Sequence, residues 1–453
     1  MPFSDLVVVG AGITGLTAAL SAQELGLRVV LIERGDRIPG WSNSAVSSGV
    51  LHAAKLDPNT DPSRLAARVF QVTDHTARSD VVQAWADGSA EALAWARDHG
   101  AILEPGVGPW HRPGTRTSAR PLVLAPQSTF EPGLRADSGI AAFLDRLAQS
   151  FIAGGGQTQT RTRAVDLICS DDGVTGVRVE NGGRSHSVLD TRMVLLADGG
   201  FQAAPELVAR HIGTNSVVHR AADTATGDGL RMAHAVGAAL SQDMTRFYGH
   251  CLHRDAMHEA RLRPYPVVDA FAESGIVVNS DGRRVDTNGM DGVGIANAIA
   301  HSGDPLGCWA IVDEDISGAI LQPDGQSIRR YLGGLGAAVP AAPTLAELTA
   351  MTGWDPSEVQ AAAATTESLT GPVCAVPLVA GLTFTMGGIT VDGNARVLST
   401  TGQPIPGLLA AGSTAGGLHG GPRAGYAGGL LAGLVSGRIA ANTAARDTRL
   451  PIS

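Results

Sequence analysis

Short apolar runs that stop at glycine alternate with longer amphipathic stretches along much of this chain. That is the pattern of buried parallel strands covered by helices. Asp5–Val9 is the first such run, closed by Gly10, and LTAALSAQELG (Leu16–Gly26) follows as an apolar-periodic helix. Arg28–Glu33 is a second strand, so the spacing predicts a βαβ unit. Val194–Phe201 is another strand, ending in a glycine pair. Thr226–Gly229 predicts a turn or cap before an amphipathic helix within Thr224–Leu240. Farther on, Ile276–Val278 predicts one strand of a hairpin around Asp281–Gly282. Cys308–Ile316 predicts another strand. Thr344–Gly353 and Asp355–Glu367 predict short helices, the second with Asp355 as N-cap and Pro356 at its first position. Residues 101–137, rich in Pro, Gly and Arg, predict a long loop over an active site.

The glycines of GAGITG have separable tasks. Gly10 permits a tight turn, Gly12 lets a pyrophosphate approach the backbone, and Gly15 lets the helix pack on the strand. Ile13 and Thr14 then open a helix whose N-terminus favours an anion. Glu33, ending the second strand, suits ribose hydroxyls and would repel a 2′-phosphate, which disfavours NADP. A GxGxxG alone is a weak signal. With strand, helix and acid in place it predicts a dinucleotide site.

Composition narrows the classes. At 453 residues the chain exceeds what one hydrophobic core usually serves. Apolar residues at 44% and charged ones at 17% are ordinary for a globular protein. A net charge of −9 without a polybasic run argues against a nucleic-acid partner. Cys169, Cys251, Cys308 and Cys374 form no CxxC pair and no haem-attachment site, as expected of buried thiols in a reducing compartment. The N-terminus enters a strand at once, and no run nears the ~18–20 apolar residues of a membrane span. A cytoplasmic protein with no integral membrane segment is expected.

Five motifs, in order, resemble one flavoprotein family: Gly40–Ala54 (GWSNSAVSSGVLHAA), Val194–Phe201, Thr224–Leu240 (TATGDGLRMAHAVGAAL), Thr385–Asp392 (TMGGITVD) and Pro404–Ala441. They are similar to the FAD-dependent oxidoreductase 2 family, which includes fumarate reductase and succinate dehydrogenase flavoproteins, ketosteroid dehydrogenases and tricarballylate dehydrogenase. The resemblance implies an α/β fold, a Rossmann-like FAD-binding domain (1–244 and 380–453) interrupted by an α+β capping domain for the substrate (245–379). It implies FAD, its AMP half on Gly10–Glu33 and Arg34. The isoalloxazine would lie against Ser42, Asn43, Ser44, Ser47, Ser48 and Gly49, and against Ala427, Gly428, Gly429, Leu430 and Leu431. Asp198, Gly199, Asp228, Gly412 and Ser413 complete the implied cofactor set. Covalent members bond flavin to a histidine in the Ser42–Gly49 stretch; here Asn43 holds that position and His52 lies outside it. Noncovalent FAD is therefore expected.

The substrate end is HGGPRAGYAGG. His419 and Arg423 match the H-G-A-N-R segment with which fumarate reductases hold a carboxylate, a task suited to a guanidinium fork. Tyr426 resembles the tyrosine that binds a substrate ketone in ketosteroid dehydrogenases. Arg423 equally suits a helix C-terminus, and Tyr426 suits packing. Tyr248, His250 and His253 in RFYGHCLHRD fall where the family places a substrate-facing histidine. Thr385 follows Phe384, where fumarate reductases have a histidine, which implies a less polar pocket. His111 and Arg112 are further candidates in the long loop. The reductases' arginine proton donor aligns with Gly292, and no arginine lies between Arg284 and Arg329.

These features together predict an FAD-dependent dehydrogenase acting on CH–CH bonds. It would introduce a C=C bond next to the carbonyl of a small or alicyclic keto acid or carboxylic acid. That chemistry needs a base for the α-proton, a hydride acceptor and a donor for the enolate oxygen. Tyr426, Arg423, His250 and Tyr248 are the catalytic candidates; His419, Arg423, Thr385 and His253 are the substrate-binding ones. A reductase of unsaturated acids, an amine-oxidising enzyme and a noncatalytic flavoprotein subunit are the alternatives. No second GxGxxG, haem motif or iron–sulfur pattern marks the electron acceptor, so oxygen, a quinone and an electron-transfer protein all stand open.

Overall fold

A computed structural model of the protein describes residues 3–106, 121–126, 138–183, 185–320, 327–365, 369 and 371–448. The predicted βαβ unit forms. Ser4–Val9 pairs in parallel with Val29–Ile32 on one edge and with Ser185–Leu196 on the other. Pro404–Ala410 extends the sheet in parallel beyond Ser185–Leu196. Leu6, Val7 and Val8 are fully buried, as both faces of this sheet are covered.

Ile13–Glu24 is a helix buried on most sides. It packs on the last helix, Gly429–Asp447, through small residues. A Cβ at Gly433 would stand 2.7 Å from Thr14 Oγ1, and one at Gly437 2.6 Å from the Thr14 carbonyl oxygen. The two ends of the chain thereby meet at one site.

A second sheet is organised around Val373–Thr385, a long, nearly wholly buried apolar strand. Trp309–Asp313 and Ala341–Ala342 pair with it in antiparallel fashion, as does Phe247–His253; Val217–His219 joins it in parallel. The chain is thus a mixed α/β protein with parallel and antiparallel sheets. We retain the two-domain division as a proposal; this sheet reaches outside 245–379 at both ends.

Several local expectations meet the structure. Asp355 caps Pro356–Ala363 by accepting from the Ser357 and Glu358 amides. Ile276–Val278 is a strand, but its main partner is Trp309–Asp313, and the predicted hairpin closes by a single bridge, Val278 to Arg284. The helix expected to reach Leu240 spans only Asp228–Ala235. Gly237 turns the backbone at φ 90°, and Ala238 and Leu240 bridge to Ser399 and Ile389 instead. Within the expected loop 101–137, Leu103–Pro105 and Leu122–Leu124 pair as strands; His111 and Arg112 lie outside the described residues. Among the described residues, no helix is long and apolar enough to cross a membrane, and no cluster of side chains suits a metal ion.

Candidate active site and cofactor cleft

The glycine-rich turn opens a cleft between the first strand, the end of Ser185–Leu196 and the segment Trp41–Ser44. Gly10 has φ 101°, and a Cβ there would stand 2.6 Å from the Ala197 carbonyl oxygen. A Cβ at Gly15 would stand 1.8 Å from the Gly10 carbonyl oxygen. Only glycine permits either approach. Gly12 caps the first helix without a side-chain hydrogen bond, and the Ile13 amide reaches only Ser44 Oγ, at 3.2 Å. The helix thus presents its positive end to the cleft.

Glu33 is buried at the cleft floor. Its Oε2 accepts from the Ala11 amide at 2.9 Å, and its Oε1 from the Gly35 amide at 2.7 Å. Opposite, Asp198 accepts from the Gly229 amide at 2.7 Å and from Thr414 Oγ1 at 3.3 Å. Burial pushes its carboxyl up to about 6. Thr414 Oγ1 in turn accepts from the Gly199 amide at 2.9 Å, while Gly412 fits against Thr14 and Ser413 lines the cleft.

Asp228 lines the same cleft. Burial works to raise its pKa, but hydrogen bonds from Arg163, with the charges of Arg34 and Arg231, hold it below the usual carboxylate value. Arg163 binds both its oxygens at 2.7 Å, so the carboxylate is already engaged. Arg34 donates to Thr226 Oγ1 at 2.7 Å on the same rim.

Asn43 also has a local task. Its Nδ2 donates to the Thr383 carbonyl at 2.9 Å and its Oδ1 accepts from the Ala222 amide at 3.0 Å, tying the loop to the second sheet. Ser42, Asn43 and Ser44 line the cleft, whereas Ser47 turns back to the Ser44 carbonyl and Ser48 is half-buried beside Gly49.

Where the last helix begins, side chains from distant segments converge. Tyr426 OH accepts from the Gly429 amide at 2.6 Å, and His419 Nδ1 accepts from the Ala427 amide at 3.1 Å. Gly428, at φ 114°, lies where a Cβ would stand 2.0 Å from the His52 carbonyl oxygen. Leu430 and Leu431 pack into the core behind it. The Tyr426 ring stacks on Tyr248 with centroids 4.0 Å apart, and Phe384 packs on both. Tyr248 OH lies 3.0 Å from His250 Nε2, and His250 Nδ1 lies 2.6 Å from Asp269 Oδ2. Asp269 Oδ1 is held by the Cys251 amide at 2.7 Å. Both bonds of His250 are satisfied when Nδ1 carries the proton and Tyr248 donates to Nε2.

Burial governs the charges here. It lowers His419 to about 4 and His52 to about 3, the latter helped by the Lys55 charge, so both rings are neutral near pH 7. Burial likewise raises both tyrosines above the ordinary phenol value.

Two expected residues stand outside this group. Arg423 is half-exposed and pairs with Asp74, Nη2 to Oδ1 at 2.8 Å. His253 is buried but occupied by the Ala338 carbonyl at 3.0 Å and the Asp255 amide at 3.2 Å. Thr385 is buried and accepts from the Phe201 amide at 3.3 Å.

Conversely, the structure adds groups that sequence reading passed over. Asp269 anchors His250. Lys55, in a left-handed turn at φ 70°, forms a 2.6 Å ion pair with Asp291, the cap of helix Gly292–Ala300. Gln202 lines the cleft. Nothing in the local sequence flags these residues; they become visible only through folded contacts, Asp269 19 residues from His250 and Lys55 236 residues from Asp291.

The cleft fits FAD: a helix N-terminus without a side-chain cap for pyrophosphate and a buried Glu33 for ribose. Comparison with known proteins agrees. Residues 5–428 match the family model described as FAD binding domain. A vinyl phenol reductase of Lactiplantibacillus plantarum is 26% identical, covering 91% of this chain and 90% of the relative. A fumarate reductase (cytochrome) of Shewanella frigidimarina is 27% identical over 91% of this chain and 72% of the relative. A 4-oxocyclohexanecarboxylate 2-dehydrogenase of Sinomonas cyclohexanicum is 27% identical over 90% and 87%. In fold, a 3-ketosteroid delta1-dehydrogenase from Sterolibacterium denitrificans superposes with a TM-score of 0.76 at 20% identity, covering 98% of this chain and 100% of that one. The chain belongs to this FAD binding domain family and is an FAD-dependent oxidoreductase.

Proposed function

We propose that the enzyme is a dehydrogenase that introduces a C=C bond next to the carbonyl of a small or alicyclic keto acid, with FAD held noncovalently. The observation that carries this reading is the chain Asp269–His250–Tyr248 stacked on Tyr426, whose hydroxyl meets the Gly429 amide. A carbonyl oxygen between Tyr426 OH and the Gly429 N–H would accept from both and replace their mutual bond. As the α C–H loosens, charge growing on that oxygen meets two donors in a buried site. Tyr248 is then placed to take the α-proton while passing its own to His250 Nε2, and Asp269 holds the imidazolium that results. FAD, when bound, supplies the acceptor for the hydride from the β carbon.

A second observation supports the oxidative direction. A Cβ at Gly292 would stand 2.1 Å from Asp269 Cγ, so a side chain at the position that aligns with the reductases' arginine donor would meet a carboxylate instead. The ketone site has more support than the acid site, since Arg423 is paired outward with Asp74. The reverse reaction, reduction of an unsaturated acid or ketone, is favoured by one feature: burial keeps Tyr248 protonated, as a donor should be.

Anaerobic mixing separates the two. Bleaching of bound FAD by 4-oxocyclohexanecarboxylate or a related saturated ketone is expected. Failure of every cyclic and acyclic keto acid to bleach it, with rapid reoxidation of reduced enzyme by fumarate-like acids, would sink the dehydrogenase reading. Release of all flavin on acid precipitation checks the noncovalent attachment.

A further inference from the structure

Gln202 is 3% exposed and lines the cofactor cleft. Neither its Oε1 nor its Nε2 has a hydrogen-bond partner among the described protein atoms. A buried amide is costly to leave unbonded, because desolvation of both polar atoms goes uncompensated. Trp85 Nε1 and Ser317 Oγ are also unpartnered, but neither lines the cleft.

The position of Gln202 along the cleft can be read from its neighbours. A Cβ on Gly200 would stand 2.8 Å from Gln202 Oε1 and 2.2 Å from Thr385 Oγ1, so these two oxygens flank the same glycine. Thr385 is followed back along its strand by Phe384, whose ring packs on Tyr248 and Tyr426 at 5.2 and 5.8 Å. Gln202 therefore stands toward the catalytic end of the cleft, whereas Glu33 and the first helix N-terminus mark the nucleotide end.

We infer that Gln202 binds the flavin half of FAD through its side-chain amide. It offers a donor and an acceptor side by side, matching the alternating N–H and C=O groups of an isoalloxazine edge or the hydroxyls of the ribityl chain. This assignment does not depend on the direction or substrate of the reaction.

The test uses Gln202→Met, which keeps the volume and removes both polar atoms. Holoenzyme of this variant is expected to have a FAD dissociation constant raised by about ten-fold, the worth of one or two hydrogen bonds. Recovery of flavin fluorescence on dilution reads it. ADP, which lacks the flavin half, should bind flavin-stripped parent and variant equally. The stripped variant should melt no lower than the stripped parent, because no protein hydrogen bond is lost. An unchanged FAD dissociation constant overturns the inference, as does an equal loss for FAD and ADP. A lowered melting temperature of the stripped variant also overturns it, since Gln202 would then serve the fold. If the methionine variant does not fold, Gln202→Glu replaces the donor with a second acceptor. It should weaken FAD at least as much and shift the visible flavin spectrum; parental values for both would equally overturn the inference.

Discussion

The two ends of the cofactor cleft are built from different materials. The nucleotide end, Gly10 to Glu33, is backbone: turn, helix N-terminus and strand from one contiguous stretch, with a single carboxylate to finish it. The catalytic end is side chains. Tyr248 and His250, Asp269, Phe384, His419 and Tyr426 arrive from four separate stretches of chain and meet because two strands lie in one register, Tyr248 opposite Phe384. The first kind of site tolerates no added atom at Gly10 or Gly15 and says little about the reaction. The second can change its chemistry by one side chain without disturbing the cofactor.

That contrast is sharpest under substitution. Gly15→Ala puts a methyl group 1.8 Å from the Gly10 carbonyl oxygen, a backbone atom that cannot step aside. The variant is expected to purify without FAD and without activity, read from its visible spectrum. A yellow, stoichiometric holoenzyme would show that the turn does not position the cofactor. At the other end, Tyr426→Phe should keep FAD and lose kcat/KM for a ketone substrate by about 10²–10³, the usual cost of one oxyanion donor. Loss of FAD in parallel would mean that Tyr426 serves the cofactor rather than the substrate.

Asp269→Asn is a smaller probe of the same end. It keeps the shape but removes the charge that would hold an imidazolium at His250. A fall in kcat of about 10–100-fold is expected, with the substrate dissociation constant little changed. Equal turnover by the variant would remove the relay from the mechanism.

How much of this was legible follows from the same division. Glycine spacing and Glu33 carry local constraints, so the dinucleotide turn is legible directly, and the HGGPRAGYAGG segment singles out Tyr426 as a candidate. Asp269 is not legible. It sits in a six-residue helix with no distinguishing neighbours, and its role comes only from the bond to His250. Arg423 illustrates the opposite case. Its spacing from His419 is right for a carboxylate clamp, but in the structure its guanidinium pairs with Asp74. Asn43 and Asp228 line the cleft, and their polar atoms also hold Thr383, Ala222 and Arg163, contacts that no motif reveals.

Buried titratable groups distinguish the two ends by pH. His419 and His52, at about 4 and about 3, hold their protons less well than in the unfolded chain, where histidine titrates near ~6.5. Stability from the catalytic end is therefore present above ~6.5 and lost as pH falls toward those values. Asp198 runs the other way. Its carboxyl, raised to about 6, contributes stability below the ordinary ~3.8 that is lost as pH rises through 6. Asp198→Asn should therefore raise the melting temperature relative to the parent by more at pH 8 than at pH 5. A difference independent of pH would show that burial does not dominate at Asp198.

The smallest expected effect concerns Arg423. Its pair with Asp74 is open to solvent, which screens both charges, so it adds little to stability. Arg423→Ala should leave the melting temperature nearly unchanged and KM for a keto acid within about two-fold, the limit set by so weak an interaction. Comparing the acid with its methyl ester makes this decisive, because only an acid needs a cation. A KM rise of about ten-fold for the acid and none for the ester would mean that the guanidinium leaves Asp74 for the substrate, at a differential binding energy of about 1.4 kcal/mol. The catalytic end would then depend on a movement as well as on a register, and the contrast with the preformed nucleotide end would deepen. If neither substrate responds, Tyr426 and the Gly429 amide suffice to orient the ketone, and selectivity for an acid group must come from another cation near the relay, such as Arg220, whose charge acts on Tyr248, or Lys55, paired with Asp291.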